Sequence, residues 1–146
     1  MINYENTITH SNKPIVGFTC GTFDMCHPGH SHFFEYCKKH CDILIVGLQV
    51  DATLDRPEKQ TCLEPIHLRS LRLYQNKDVD YVLTYTTEES LAELLSLMNI
   101  DIRFLDSSYE DKDFTHKDNA YYEIHYTPRN HGISSSLYRN KISGCK

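Results

Sequence analysis

Apolar runs and helix-spaced apolar stripes alternate along this chain. Ile15 to Thr22 has the length and apolar continuity of a buried strand, and Ser31 to His40 carries aromatic and polar residues at helical spacing, so a first helix is expected over Gly29 to His40. The alternation continues with a strand at Asp42–Val50, a helix at Pro65–Gln75 and a strand at Val79–Tyr85. Thr87 then offers an N-cap, Glu88 and Glu89 complement the positive end of the helix dipole, and an apolar stripe runs on to Met98, which predicts a third helix. Ile102–Leu105 and Tyr121–Tyr126 read as the fourth and fifth strands, with a short closing helix from Ser134. Strands separated by helices demand right-handed crossovers. The expectation is an α/β fold, a single Rossmann-like domain over residues 14–146 with a mostly parallel five-stranded sheet and helices on both faces. Residues 1–13 read as an N-terminal tail. Ser107 to Ala120, polar and without a period, reads as a surface loop placed to fold over a ligand.

Composition narrows the class. A chain of 146 residues with 40% hydrophobic content can bury one ordinary core. No apolar run approaches the roughly 20 residues needed to span a bilayer, and Met1 to Lys13 lacks the apolar stretch of a signal peptide, so membrane insertion is not expected and the expected setting is the cytoplasm. Six cysteines without a Cys-x-x-Cys pair are expected to be free thiols. A formal charge of -5 argues against a nucleic-acid surface. Its distribution adds something: from Arg129 to Lys146 there is no Asp or Glu, while Arg129, Arg139, Lys141 and Lys146 are basic. That local excess suits a small polyanion.

The chemistry concentrates where the first strand hands over to the first helix, in Gly21-Thr22-Phe23-Asp24-Met25-Cys26-His27-Pro28-Gly29-His30. Residues three apart share a helix face, so His27 and His30 can address one ligand. Pro28 suits the first helical position, where its missing N–H costs nothing. Gly29 has no Cβ and lets an anion approach the unpaired amides of the helix start. Open α/β sheets bind ligands beyond the carboxyl ends of their strands, where strand order reverses, and the first strand ends at this segment.

This decapeptide resembles the His-x-Gly-His signature of a nucleotidyltransferase superfamily, and its Gly-Thr-Phe-Asp lead-in is most similar to the cytidylyltransferase branch. Arg129-Asn130-His131-Gly132-Ile133-Ser134-Ser135-Ser136 is similar to the Arg-Thr-x-Gly-Ile-Ser-Thr-Thr motif of glycerol-3-phosphate cytidylyltransferases. The resemblance spans residues 14–142. It implies transfer of a cytidylyl group from CTP to a phosphorylated alcohol, glycerol 3-phosphate first, with release of pyrophosphate. It also implies a homodimer. By the same resemblance His27, His30 and Arg129 are the catalytic residues. Thr22, Phe23, Asp24, Gly29, Lys59, Gly132, Ile133, Ser134 and Ser135, with Arg129, contact the nucleotide, and Asp51, Arg69, Lys77 and Asp80 face the acceptor.

The reaction needs little proton transfer. A phosphate acceptor is already ionised, so positioning and electrostatic stabilisation can carry the step. The two histidines are expected to donate hydrogen bonds to the α-phosphate region, with polyphosphate favouring their protonated forms. The serine run can grip β- and γ-phosphates from a helix start. Mg2+ is expected to accompany the triphosphate. Three rival readings stand beside this one. Cys20, Cys26, His27, His30, His32, Cys37, His40 and Cys41 form a zinc donor set, although Cys20 would lie inside a strand and Cys37-x-x-x-Cys41 straddles a helix end. A nucleotide-binding regulator without turnover is the second. The third keeps the fold and uses ATP, or an ethanolamine-type phosphate as acceptor.

Overall fold

The computed structural model describes residues 12–128 and 134–144, and the expected tail lies outside them except for Asn12 and Lys13. Five strands form one sheet: β1 (Val16–Gly21), β2 (Ile43–Gln49), β3 (Tyr81–Tyr85), β4 (Ile102–Asp106) and β5 (Glu123–Thr127). Helices α1 (Pro28–Lys38), α2 (Ile66–Tyr74) and α3 (Glu88–Leu97) form the first three crossovers, and α4 (Ser135–Gly144) closes the chain. The order is β3-β2-β1-β4-β5, and every neighbouring pair is parallel. The sheet is therefore fully parallel where a mostly parallel one was expected. The fifth strand begins two residues later than the alternation of Tyr121 to Tyr126 indicated.

Period-two alternation sorts the side chains onto two faces. Leu44, Val46 and Leu48 of β2 pack with Phe34 and Cys37 of α1, Leu73 of α2 and Phe104 of β4. Phe18 and Tyr85 pack on the opposite face with Leu91 and Leu95 of α3 and with Tyr122. The core is tight at β1: a Cβ on Gly17 would stand 2.6 Å from Phe104 Cε2 and 2.8 Å from Cys41 Sγ. Thr87 caps α3 as anticipated; its hydroxyl accepts from Ser90 N, and the Ser90 hydroxyl accepts from Thr87 N.

Strand order reverses at β1. The chain moves outward through β2 and β3, then α3 carries it back to β4 on the other side of β1. The carboxyl ends of β1 and β4 consequently part to leave a crevice. Among the described residues no helix is long and apolar enough to cross a membrane.

Candidate active site

The crevice opens into a cleft of about 1630 Å³. Thr22, Phe23, Asp24, His27, Gly29, His30, Lys59 and Ser134 all line it, so eight of the nucleotide and catalytic positions expected from sequence converge there. Arg129, Gly132 and Ile133 lie outside the described residues, and Ser135 is described only as the first residue of α4.

The histidines cap the helix that presents them. His27 Nδ1 accepts from Gly29 N at 3.1 Å, and His30 Nδ1 accepts from His27 N at 3.2 Å, a reciprocal box built from two imidazoles. A nitrogen that accepts carries no proton, so each neutral ring holds its proton on Nε2. Protonation of the rings beside polyphosphate, as expected from sequence, would exchange these caps for donation from Nδ1. The two rings stack 3.9 Å apart, and Tyr138 of α4 lies parallel to His27 at 5.3 Å.

The approach to these rings is strained and well braced. Phe23 and Met25 have φ of 45° and 48°, left-handed values that non-glycine residues avoid. The Phe23 ring packs edge-on to His30 at 5.5 Å and against Phe34 at 5.2 Å. Asp24, between the strained residues, is 3% exposed. Its carboxylate accepts from Leu63 N and Glu64 N, each at 2.9 Å, and pairs with Arg139 of α4. Arg139 also donates to Gln60 Oε1 at 2.8 Å. Ser134 accepts from Leu137 N at 3.1 Å, which caps α4 while leaving the hydroxyl hydrogen to donate. The closing helix is thus fastened over the first histidine by Tyr138 and Arg139.

The four acceptor positions do not converge. Arg69, 2% exposed, donates to the carbonyls of Glu64, Thr22, Gln49 and Val50 at 2.9, 3.0, 2.7 and 2.7 Å. It ties together the ends of β1 and β2 beneath the cleft. Asp51 caps a short 3-10 turn at Ala52–Leu54, and the Thr53 hydroxyl and amide hold its carboxyl below the usual range. Lys77 is exposed and lines a smaller depression with Cys26, His27 and Pro28, which borders the main cleft at His27. Asp80 is a correction: it precedes β3 at the amino end of the sheet, where it accepts from Leu44 N at 2.7 Å and pairs with Lys38. An acceptor beside the histidines would lie at the other end of the strands.

The zinc donor set is divided by the sheet. Cys20 packs with Phe18 and Tyr85 on one face, while Cys37 and Cys41 lie in the core of the other. Burial raises their thiol pKa values, to about 11 for Cys41. Among the described residues no group of three or more His, Cys, Asp or Glu is placed to hold a metal ion.

The loop after β4 is more ordered than its composition implied. A 3-10 turn at Ser107–Tyr109 leads into a segment that lines the cleft at Lys112 to Asn119. Three contacts fasten it: Arg103 to the Thr115 carbonyl, Glu88 to the Thr115 hydroxyl, and His116 Nδ1 to the Tyr122 hydroxyl at 3.0 Å.

The model of the cytidylyltransferase-like family matches residues 18–141. The chain belongs to that family. Among curated proteins, it is 32% identical over 137 residues to the bifunctional protein HldE of Helicobacter hepaticus, covering 88% of this chain and 27% of the relative. Similarity to the bifunctional protein HldE of Acidiphilium cryptum is 35% over 95 residues, or 64% of this chain and 19% of that protein. The chain thus spans only about a quarter of the length of these relatives. Its fold matches a lipopolysaccharide core biosynthesis protein from Thermoplasma volcanium with a TM-score of 0.65, at 22% identity over 81% of this chain and 98% of that one. A pantothenate synthetase from Thermus thermophilus matches with a TM-score of 0.56, at 15% identity over 86% and 64% of the two chains. Membership of this family supports a nucleotidyltransferase enzyme.

Tyr138 is a site residue that sequence reasoning passed over, and Arg139 was read only as part of a basic stretch, not as the partner of Asp24. Their signal was the spacing of Ser134, Ser135, Tyr138 and Arg139, which places them on neighbouring turns at one end of the closing helix.

Proposed function

We propose that this chain transfers a nucleotidyl group from a nucleoside triphosphate to the phosphate of a small phosphorylated sugar or alcohol. An oxygen of the acceptor phosphate attacks the α-phosphorus, the bond to the β-phosphate oxygen breaks, and its electron pair leaves with pyrophosphate. No proton has to move, since attacking and leaving oxygens are both ionised near neutral pH.

The observation that carries this reading is the pair of capped imidazoles. Two Nε2–H donors at a helix start, inside a cleft at the strand-order reversal, are built to receive charge developing on phosphate oxygens. Their Nδ1 bonds preset the rings, so little reorganisation is needed as that charge grows. Ser134 at the start of α4 and Lys59 line the same cleft and suit the β- and γ-phosphates. Arg129 retains the role implied by the motif. Mg2+ would enter with the triphosphate, held chiefly by phosphate oxygens, because the carboxylate of Asp24 is already engaged with Arg139 and two amides.

CTP remains the donor that the Gly-Thr-Phe-Asp and serine motifs favour, with ATP the alternative. Glycerol 3-phosphate gains no support from the relatives. The enzyme is taken to act in the cytoplasm as a homodimer; the free thiols at Cys20, Cys26, Cys37, Cys41 and Cys62 suit a reducing compartment.

The test is a matrix of CTP and ATP against glycerol 3-phosphate, phosphoethanolamine and hexose and heptose phosphates, read by pyrophosphate release. Release that requires one triphosphate and one acceptor supports the proposal. Absence of release across the matrix, from folded protein supplied with Mg2+, overturns it.

A further inference from the structure

The cleft continues past β1 onto the α3 side, where Cys20, Tyr85, Glu88, Arg103 and Thr115 line it. Arg103 rises from β4 at the level of Phe18 in β1 and is 2% exposed. Among the described residues its contacts are all with neutral groups. It donates to the Thr115 carbonyl and to the Tyr122 hydroxyl at 3.4 Å; its Nη2 lies 3.8 Å from Cys20 Sγ, and its guanidinium carbon lies 5.2 Å from the centre of the Phe114 ring. Burial raises the pKa of Cys20, Tyr85 and Tyr122, so none of them supplies a counter-charge near neutral pH.

The other arginines of this region are differently placed. Arg56 pairs with Glu88, Arg139 pairs with Asp24, and Arg69 is spent on backbone carbonyls. Arg103 has no carboxylate at ion-pair distance among the described residues, and its Nε is buried without a hydrogen-bond partner. A buried guanidinium held only by neutral groups is costly in the empty protein. It is repaid when an anion arrives, because a guanidinium offers a planar fork to phosphate or carboxylate.

We infer that Arg103 anchors an anionic group of the acceptor substrate on the α3 side of the cleft. This rests on the nucleotidyl-transfer reading for the identity of the ligand. Tyr85 lines the same wall of the cleft, and its hydroxyl suits that of a polyol phosphate. The Thr115 carbonyl is the neutral acceptor that the anion replaces, so the Phe114–Thr115 segment yields when the site fills.

Two measurements on the full chain test this. In the first, arginine Nε–H resonances are followed by NMR while glucose 1-phosphate or glycerol 3-phosphate is titrated in, with the Arg103 signal assigned through its own side chain. A saturable shift of that signal is expected with at least one probe, and a signal that stays in place with both overturns the inference. In the second, Arg103→Gln and Arg103→Lys are assayed by pyrophosphate release. Arg103→Gln should raise the acceptor KM by at least about tenfold while the triphosphate KM stays within about twofold, and Arg103→Lys should recover part of the loss. A folded Arg103→Gln protein with an unchanged acceptor KM overturns the inference, as does a rise of both KM values together that Lys does not relieve. Where Arg103→Gln does not fold, the NMR titration of the wild type decides. A wild type that turns over no pair sinks the nucleotidyl-transfer reading, while the titration still decides whether Arg103 binds an anion.

Discussion

The rings of His27 and Tyr138 lie 5.3 Å apart and within 1° of parallel, joining the start of α1 to a helix that follows more than a hundred residues later. Both Tyr138 and His30 lie against the His27 ring, so the orientation of the first histidine depends on the docking of α4.

Tyr138→Ala should therefore lower kcat by about fivefold, corresponding to the loss of roughly 1 kcal/mol of ring stacking that holds His27 in register. Tyr138→Phe keeps the stack and should stay within about twofold of wild type. Pyrophosphate release, with melting curves to confirm folding, checks both, and an Ala variant at the wild-type rate would detach α4 from the chemistry.

His27→Ala and His30→Ala should each reduce turnover by at least about a hundredfold if each Nε2–H stabilises transition-state charge. Each also removes one bond of the capping box and should cost roughly 1 kcal/mol of stability. His27→Asn separates the two effects, since its side-chain oxygen can accept from Gly29 N without placing an Nε2–H on the phosphate. Its stability should return toward wild type while its rate stays low. Urea denaturation and kcat measured on the same three variants test the division.

Alkaline stability should follow the thiols. Burial raises Cys26 and Cys41 from the ordinary 9.0 to about 11, so the protonated form is the one favoured by folding. Their stabilising contribution is complete below pH 9, where the unfolded chain also keeps its thiol protons, and is lost as pH rises from 9 to about 11. Unfolding free energies across that range should fall, and Cys41→Ala should show a shallower fall. A slope unchanged by the substitution would assign the effect to other groups.

Gly17→Ala should destabilise by about 1–3 kcal/mol, because the added methyl meets the fully buried Phe104 ring and Cys41 in a core without slack. A urea midpoint equal to that of wild type would show that the Phe104 ring can shift.

Local relationships were readable from the chain alone. Strand, turn and helix start between Ile15 and His40 follow from apolar continuity, Pro28 at the first helical position and two histidines three apart. The cap of α3 follows from Thr87 and the acids after it. Placement across the sheet was harder to read. Asp80 and Asp24 are both aspartates at strand ends, yet one sits at the amino end of β3 and the other beyond the carboxyl end of β1. Only strand direction distinguishes them, and a position matched by resemblance alone did not carry it. Arg69 looked like a ligand-facing cation, but four carbonyls contributed by three segments surround it, an arrangement that exists only after folding. The stack of Tyr138 on His27 depends on how a distant helix docks, which no local pattern encodes.

The ion pair between Asp24 and Arg139 closes a loop of 115 residues, most of the molecule. A triphosphate gripped between the His27 turn and the closing helix would reinforce that clasp and resist fraying of the C-terminal segment. Substrate occupancy would then register as whole-molecule resistance to heat and protease, growing with the logarithm of ligand concentration, even though the ligand touches only one edge of the sheet.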